Sequence, residues 1–158
     1  MKPYITKGVI VTEMIGYVIL LLSFVAATVG VLTIDGEIPS HYDAAGNVDA
    51  YSGPGFLFIV PGIMVLVLLT FSLLMHRLPP DMWNVGRKVP QDRLVYVLHD
   101  CCYMLTSLGI LFALESLVST ITMLCGVDWT LPILIVMILA MVLDFIVYSI
   151  VSSRHCRN

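Results

Sequence analysis

Charged residues are scarce in this sequence, at 12% of its 158 residues, which is about half their share in a typical soluble domain. Apolar side chains make up 59%, and the mean hydropathy is +0.97. A soluble fold of this length could not hide so much apolar surface from water, so a lipid bilayer is the natural solvent. The net charge of −3 argues against a nucleic-acid partner, because nucleic-acid binders usually carry a basic patch.

Recognisable catalytic motifs are also missing. The sequence has no HExxH, no Walker loop, no nucleophile elbow and no CxxC pair. Glu115 and Asp144 could be imagined as an aspartyl-type pair, but they lack Gly-rich surroundings and their estimated membrane depths differ. We therefore expect no enzymatic activity.

The four cysteines are not expected to form a structural disulfide. Cys101, Cys102 and Cys156 fall on one predicted side of the membrane, and Cys125 lies alone near the other. A metal site could gather His99, Cys101, Cys102, His155 and Cys156, but their spacing matches no standard zinc pattern. Ordinary packing of these small side chains is the preferred interpretation.

Four long apolar stretches predict an all-α fold, an integral membrane bundle that forms a single domain over residues 1–158. The predicted helices cover about residues 14–34, 55–75, 94–125 and 129–151. Each supplies the roughly 20 residues that cross the hydrocarbon layer, and a helix satisfies its own backbone hydrogen bonds there. The first stretch could instead be a signal peptide. It exceeds a typical apolar core of about 7–15 residues and ends without a convincing cleavage site.

The basic residues indicate which side of the membrane each end occupies. In a four-helix topology every one of them falls on the side of the two termini and the middle loop; they are Lys2, Lys7, Arg77, Arg87, Lys88, Arg93, Arg154 and Arg157. The positive-inside rule therefore predicts cytoplasmic termini in the cell membrane. The polar loop of residues 35–54, which has no Lys or Arg, is then extracellular or periplasmic.

Two acids fall inside the predicted spans. Glu115 lies near the middle of the third helix, and Asp144 lies in the cytoplasmic half of the fourth. Ser119 and Tyr148 follow them by four residues and could hydrogen-bond their carboxyl groups. The acids could relay protons or cations, or they could be neutral groups that join helices. Glu13 is expected in the first turn of the first helix, where the helix dipole favours an acid.

The polar loop reads IPSHYDAAGNVDAYSGP over residues 38–54, and tight turns are expected at 44–47 and 52–55. Between them, His41, Asp43, Asn47 and Asp49 could converge. His41, Asp43 and Asp49 offer ligands for a divalent metal, although the spacing is not that of an EF-hand. The same side chains could bind a peptide or a lipid headgroup, or they could stabilise a turn that leads into the second helix.

This loop resembles the bacterial membrane family called domain of unknown function sixteen-forty-eight. The resemblance lies in Ile38-Pro39, His41, Gly46, Asp49 and the early Pro61 of the next helix, and it covers about residues 30–75. The segment 83–89 is similar to a later motif of short members, with Gly86 and Arg87 where a Pro is expected. Because the same domain forms the N-terminal part of SdpI-like proteins, the resemblance implies a role in immunity to a secreted peptide toxin or in signalling its presence.

The expected function is therefore sensing or envelope protection through the outer loop, with an extracellular peptide or ion as partner. The alternative is a small proton- or cation-coupled transporter that uses Glu115 and Asp144 as titratable sites. A transporter would act as a homo-oligomer, since four helices enclose little space. No cofactor is expected apart from the divalent metal considered above.

Overall fold

Four long helices account for most of the chain in the computed structural model, which describes residues 2–43, 47–85, 89–126 and 130–157. They are α1 (Lys7–Thr33), α2 (Ile59–Arg77), α3 (Leu94–Cys125) and α4 (Thr130–Arg157). Each of the four is long and apolar enough to cross a membrane. The predicted all-α membrane fold is confirmed.

The helix boundaries differ from the sequence estimate at three places. α1 begins at Lys7 because the side chain of Thr6 caps it, accepting a hydrogen bond from the Val9 N–H. α2 begins at Ile59, after a 3₁₀ turn over Pro54–Phe58 that overlaps the second expected turn (52–55) at residues 54–55. α4 continues to Arg157. The estimate followed only the apolar runs, whereas α1 and α4 continue through the polar residues beyond them.

Helices α1, α2 and α3 form the core, and α4 packs mainly against α3. The contact between α1 and α3 is close because small residues line it; the buried ones are Gly16, Ser23, Ala27 and Gly30 of α1 and Gly109, Ala113, Ser116 and Thr120 of α3. A Cβ atom on Gly16 would lie 3.6 Å from the backbone of Gly109. Such small-residue contacts are typical of helix pairs in membranes, where helices gain from close packing.

The two ends of the molecule differ in structure and charge. At the termini end, the Lys2 ammonium donates hydrogen bonds to the carbonyls of Met75 and Leu78, and Tyr4 packs edge-on against Trp83. These contacts hold the N-terminal segment against the end of α2. The described basic residues also lie at this end; they are Lys2, Lys7, Arg77, Arg93 and Arg154.

The opposite end, called the hairpin end below, carries two short strands that the sequence analysis did not predict. Strand β1 (Ile38–Tyr42) pairs antiparallel with β2 (Val48–Ser52). The strands contain Ile, Val and Tyr, residues that favour extended backbone. The polar segment is therefore an ordered hairpin. The predicted turn at 44–47 falls mostly on residues 44–46, which lie outside the described residues, as do 86–88 and Trp129.

Candidate ligand-binding hairpin and intramembrane carboxylates

The hairpin is fixed to the helices at its base. Ile38, the first residue of β1, is only 4% exposed and belongs to a core cluster with Ala27 of α1 and Leu57 of the 3₁₀ turn. Ile38 pairs with Ser52, and Tyr42 pairs with Val48 near the tip. The strands therefore rise directly from the ends of α1 and α2, and their side chains have defined positions.

Asp43 and Asn47 stabilise the tip of the hairpin. The Asp43 carboxylate accepts hydrogen bonds from the Asn47 backbone N–H at 2.8 Å and from the Asn47 side-chain amide at 3.0 Å. The Asp43 N–H in turn donates to the Asn47 carbonyl at 2.8 Å. Asp and Asn commonly stabilise turns in this way. The structural role of these two residues is therefore to join the two strands next to the turn.

His41 and Asp49 form a second pair on the neighbouring strands. His41 Nδ1 lies 2.5 Å from Asp49 Oδ1, and the two side chains are 68% and 47% exposed. An exposed pair of this kind contributes less than about 1 kcal/mol to stability. Both side chains are therefore accessible from solution.

The structure thus separates the four predicted loop residues into two pairs. Within the described part of the chain, no group of three or more His, Cys, Asp or Glu side chains is arranged to hold a metal. A metal site at His41, Asp43 and Asp49 stays a prediction, and it would require the Asp43 side chain to leave the Asn47 amide. The alternative metal group around His99 and Cys101, which the sequence analysis did not favour, is likewise not assembled among the described residues, although the side chain of Cys156 lies outside them.

Glu115 has the partner that its spacing predicted. Ser119 Oγ donates a hydrogen bond to Glu115 Oε1 at 2.8 Å, one turn along α3. Glu115 also contributes to the wall of a groove between α3 and α4, which is lined by apolar side chains that include Val118 and Ile133. Its hydrogen bond is local, so it does not join the two helices.

Asp144 has a different partner from the predicted one. Ser107 of α3 donates a hydrogen bond to Asp144 Oδ1, whereas the Tyr148 hydroxyl lies 3.0 Å from Cys101 Sγ. Both contacts cross from α4 to α3. The sequence could suggest only partners within one helix, because which residues of α3 lie opposite α4 depends on how the helices pack.

One intramembrane acid was placed wrongly by the sequence analysis. Glu13 was expected in the first turn of a helix beginning near residue 14, but α1 starts at Lys7. Glu13 is therefore almost two turns inside the helix, and its side chain is only 12% exposed. Its Oε2 lies 3.0 Å from His76 Nε2 in the last turn of α2. The sequence feature that could have indicated this pair is His76, which lies close to the end of the second apolar stretch.

A further cluster of polar side chains joins three segments at the termini end. Asp100 Oδ2 lies 2.7 Å from His155 Nδ1 of α4, and His99 Nε2 lies 3.3 Å from the hydroxyl of Thr6. His99 also packs edge-on against Tyr103. The first turns of α3 thus contact both the N-cap of α1 and the end of α4.

Comparison with known proteins finds a similarity for one region of the chain. No curated protein and no solved structure matches it. Residues 18–65 match a family model described as Domain of unknown function (DUF1648). The matched region covers the second half of α1, the hairpin and the first turns of α2, so it contains His41, Asp43, Asn47 and Asp49. Residues 18–65 of this four-helix chain are thus the part that is similar to DUF1648, the family that the residues of the hairpin indicated.

Proposed function

We propose that the protein recognises a cationic ligand, a peptide or an ion, at the outer surface of a bacterial cell membrane, and that it acts in sensing or in envelope protection. The observation that carries the proposal is the exposed His41–Asp49 pair on a hairpin that is anchored in the helical core. Exposed polar side chains on a rigid support are typical of binding sites. The positive-inside rule supports the outer position of the hairpin.

The charge of the hairpin end favours a cationic ligand. Residues 35–54 contain Asp35, Glu37, Asp43 and Asp49 and no Lys or Arg. A surface of one sign attracts a partner of the opposite sign and steers its approach. A basic peptide or a divalent cation fits this surface better than an anionic headgroup does.

The position of Ile38 offers a route by which binding could be sensed. Ile38 contacts the cluster formed at the ends of α1 and of the 3₁₀ turn before α2. A ligand that changes the position of β1 would therefore change the packing between these two elements. At the termini end, Val9 of α1 and Met75 of α2 belong to one cluster, against which Trp83 of the middle loop packs.

The test uses the full-length protein in nanodiscs of zwitterionic phosphatidylcholine, whose net charge is zero, so that the bilayer contributes little attraction for cations. Thermal unfolding is measured in EDTA and then with Zn²⁺, Ca²⁺, Mg²⁺ or a short oligolysine peptide. A ligand at 100 times its dissociation constant stabilises the folded state by about 2.7 kcal/mol. We expect a shift with one of these probes, and we expect His41→Ala and Asp49→Asn each to remove it.

Asp92→Asn is the matched control. Asp92 is an acid with 74% side-chain exposure in the middle loop, so its substitution changes the net charge equally without altering the hairpin. The control should keep the shift. Absence of a shift with every probe, or a shift that all three variants keep, would contradict recognition at the hairpin.

A proton- or cation-coupled transporter is the second candidate, and one observation favours it. Asp144 lies inside a membrane-spanning helix with one carboxylate oxygen that has no partner among the described residues. Unpaired acids in spans often mark an ion pathway. In this candidate the protein works as a homo-oligomer. Flux of protons or Na⁺ into proteoliposomes that is lost in Asp144→Asn and kept in Asp49→Asn would favour transport over recognition.

A further inference from the structure

The last two turns of α2 carry an open groove on their outer face. The groove has a volume of about 290 Å³, and its wall consists of Thr70, Leu73, Leu74, Arg77, Leu78 and Pro79. The first four of these residues follow one another by one to four positions and lie on one face of the helix. Leu73 is 58% exposed. Because α2 is a membrane-spanning helix, this face lies against lipid.

The groove has a length and a position that suit part of a lipid molecule. It extends from Thr70 to Arg77, or roughly 10 Å at 1.5 Å per residue, whereas one leaflet of the hydrocarbon layer is about 15 Å deep. Leu78 and Pro79 leave the helical conformation and form its end. The Thr70 hydroxyl donates to the Leu66 carbonyl, so its polar group is satisfied. The groove therefore offers an apolar surface to the upper part of an acyl chain.

Arg77 adds a positive charge at the end of this apolar surface. It is exposed in the last turn of α2, and it makes no hydrogen bond or ion pair with the residues that the structure describes. Its neighbour His76 is instead paired with Glu13. A guanidinium group has a planar set of donors that matches the oxygens of a phosphate. Basic residues at the end of a membrane helix attract anionic headgroups.

Lys2 makes the end of the groove more favourable for an anion. The last carbonyls of a helix carry partial negative charge, which repels anions. The Lys2 ammonium donates hydrogen bonds to the carbonyls of Met75 and Leu78, and Leu78 belongs to the groove wall. The Trp83 indole N–H donates to the same Leu78 carbonyl at 3.4 Å. The negative end of α2 is thus offset by a cation beside Arg77.

We propose that this groove binds one phospholipid with an anionic headgroup. The Arg77 guanidinium binds the headgroup phosphate, and an acyl chain lies along Leu74, Leu73 and Thr70. The groove opens to the bilayer, so a lipid reaches it by lateral diffusion. A zwitterionic phospholipid fits less well, because the ammonium group of its headgroup cancels the net charge that Arg77 and Lys2 attract.

The groove beside Glu115 provides a comparison within the same molecule. Its wall is also apolar, but it includes an acid and no described Lys or Arg, so the same reasoning predicts no preference for an anionic lipid there. The lipid site lies at the termini end, opposite the hairpin. The inference therefore does not rest on ligand recognition by the hairpin, and different variants test the two.

The first experiment measures the preference for the headgroup. The full-length protein in a mild detergent is titrated with dioleoyl phosphatidylglycerol or dioleoyl phosphatidylcholine, and native mass spectrometry gives the apparent dissociation constant of the first bound lipid. One basic residue near a membrane surface changes the affinity for anionic lipid by a factor of about five. We expect the wild type to prefer phosphatidylglycerol by at least this factor. Arg77→Gln should remove the preference, and Arg77→Lys should keep most of it.

Arg154→Gln is the matched control. Arg154 is an exposed basic residue at the same end of the molecule, on α4, and it does not line the groove. Its substitution removes the same charge and should leave the preference unchanged. Glycerol phosphate, added as a competitor, separates binding of a free phosphate from binding of a lipid, and it should not displace phosphatidylglycerol.

The second experiment fills the groove. Leu73→Trp and, independently, Thr70→Trp should weaken binding of both lipids by about tenfold, as expected when two methylene groups lose their contact. Leu66→Trp is the control, because Leu66 is 65% exposed on the same helix and lies outside the groove. This control should bind both lipids as the wild type does.

Four results would overturn the proposal. The first is equal affinity of the wild type for the two lipids. The second is an equal loss of preference in Arg77→Gln and Arg154→Gln, which would mean a general attraction of lipid to the basic end. The third is unchanged lipid binding in both groove-filling variants. The fourth is displacement of phosphatidylglycerol by glycerol phosphate, which would mean that the site binds a free phosphate.

Discussion

At the scale of single residues, several polar side chains of the helices bind across helix contacts, and others bind carbonyls of their own helix. Thr12 of α1 donates to Thr106 of α3 at 3.0 Å, and Glu13 pairs with His76 of α2. Hydrogen bonds between membrane helices contribute about 0.6 kcal/mol on average and rarely more than about 2 kcal/mol. Their greater effect is to set how each helix is rotated, since an unpaired polar group in lipid is costly.

The Glu13–His76 pair should be measurable by a double-mutant cycle. We expect His76→Ala to lower the free energy of unfolding in detergent by about 1–2 kcal/mol, because it leaves the mostly buried Glu13 carboxyl without its partner. In a Glu13→Gln background the loss should be smaller. Thr28→Ala is the control, since Thr28 is exposed and binds only the carbonyl of its own helix. Additive effects of the two changes would contradict an interaction between them.

The close contact at Gly30 gives a prediction with a matched control. A Cβ atom on Gly30 would lie 2.3 Å from Leu57 Cδ1 and 2.5 Å from Leu124 Cδ2, so two packed side chains must move. We expect Gly30→Ala to destabilise the protein by about 1–3 kcal/mol. Gly62 lies in α2 with no atom near its would-be Cβ, so Gly62→Ala should be neutral or stabilising by up to about 1 kcal/mol. Equal melting shifts for the two variants would show that Gly30 is not packed in this way.

At the scale of elements, the hairpin has a buried base that supports it and an exposed tip. Ile38 is buried at its base, whereas His41 and Asp49 are exposed near its tip. The strands were missed because five-residue segments next to long apolar runs give little periodic signal. Their pairing is also a tertiary property: the register places Ile38 in the cluster at the ends of the helices.

The difference between base and tip predicts different losses of stability for two substitutions in the hairpin. Ile38→Ala should lower the free energy of unfolding by about 2–4 kcal/mol, as expected for a large-to-small change in a core. Asp49→Ala should cost less than about 1 kcal/mol, because its pair with His41 is exposed. Chemical denaturation of the purified protein measures both. A large loss for Asp49→Ala would favour the structural interpretation of these polar residues over ligand recognition.

At the scale of the whole molecule, charge and structure divide the protein into two unlike ends. The described basic residues surround the termini end, and the acidic hairpin occupies the other. Helices α1 to α3 pack together, while α4 is held mainly by α3. The base of the hairpin packs on α1 and the 3₁₀ turn, and Asp144 lies where α4 meets α3.

The separation of basic and acidic residues predicts the orientation of the protein in the membrane. In a cysteine-free background, Ala50→Cys in the hairpin and Asp92→Cys in the middle loop are treated in intact cells with a membrane-impermeant maleimide. The positive-inside rule predicts that only the hairpin variant is modified. After the cells are broken open, both should react, which controls for accessibility. Modification of only the middle-loop variant in intact cells would reverse the topology and place the hairpin in the cytoplasm.

The sequence by itself determined the membrane class, the four helices, the candidate residues of the loop and the resemblance later matched at residues 18–65. Apolar run length and the pattern of hairpin residues are properties of the chain alone, which explains why α3 was bounded correctly at 94–125. The Glu115–Ser119 bond was predictable for the same reason, since both residues lie on one helix.

Only the tertiary structure decided which polar groups meet across helices. It placed Ser107 against Asp144, Cys101 against Tyr148 and His76 against Glu13, and it formed the hairpin with its two separate pairs. These contacts depend on the relative rotation and depth of whole helices. That geometry results from many weak packing interactions between residues far apart in the chain, and no local pattern encodes it.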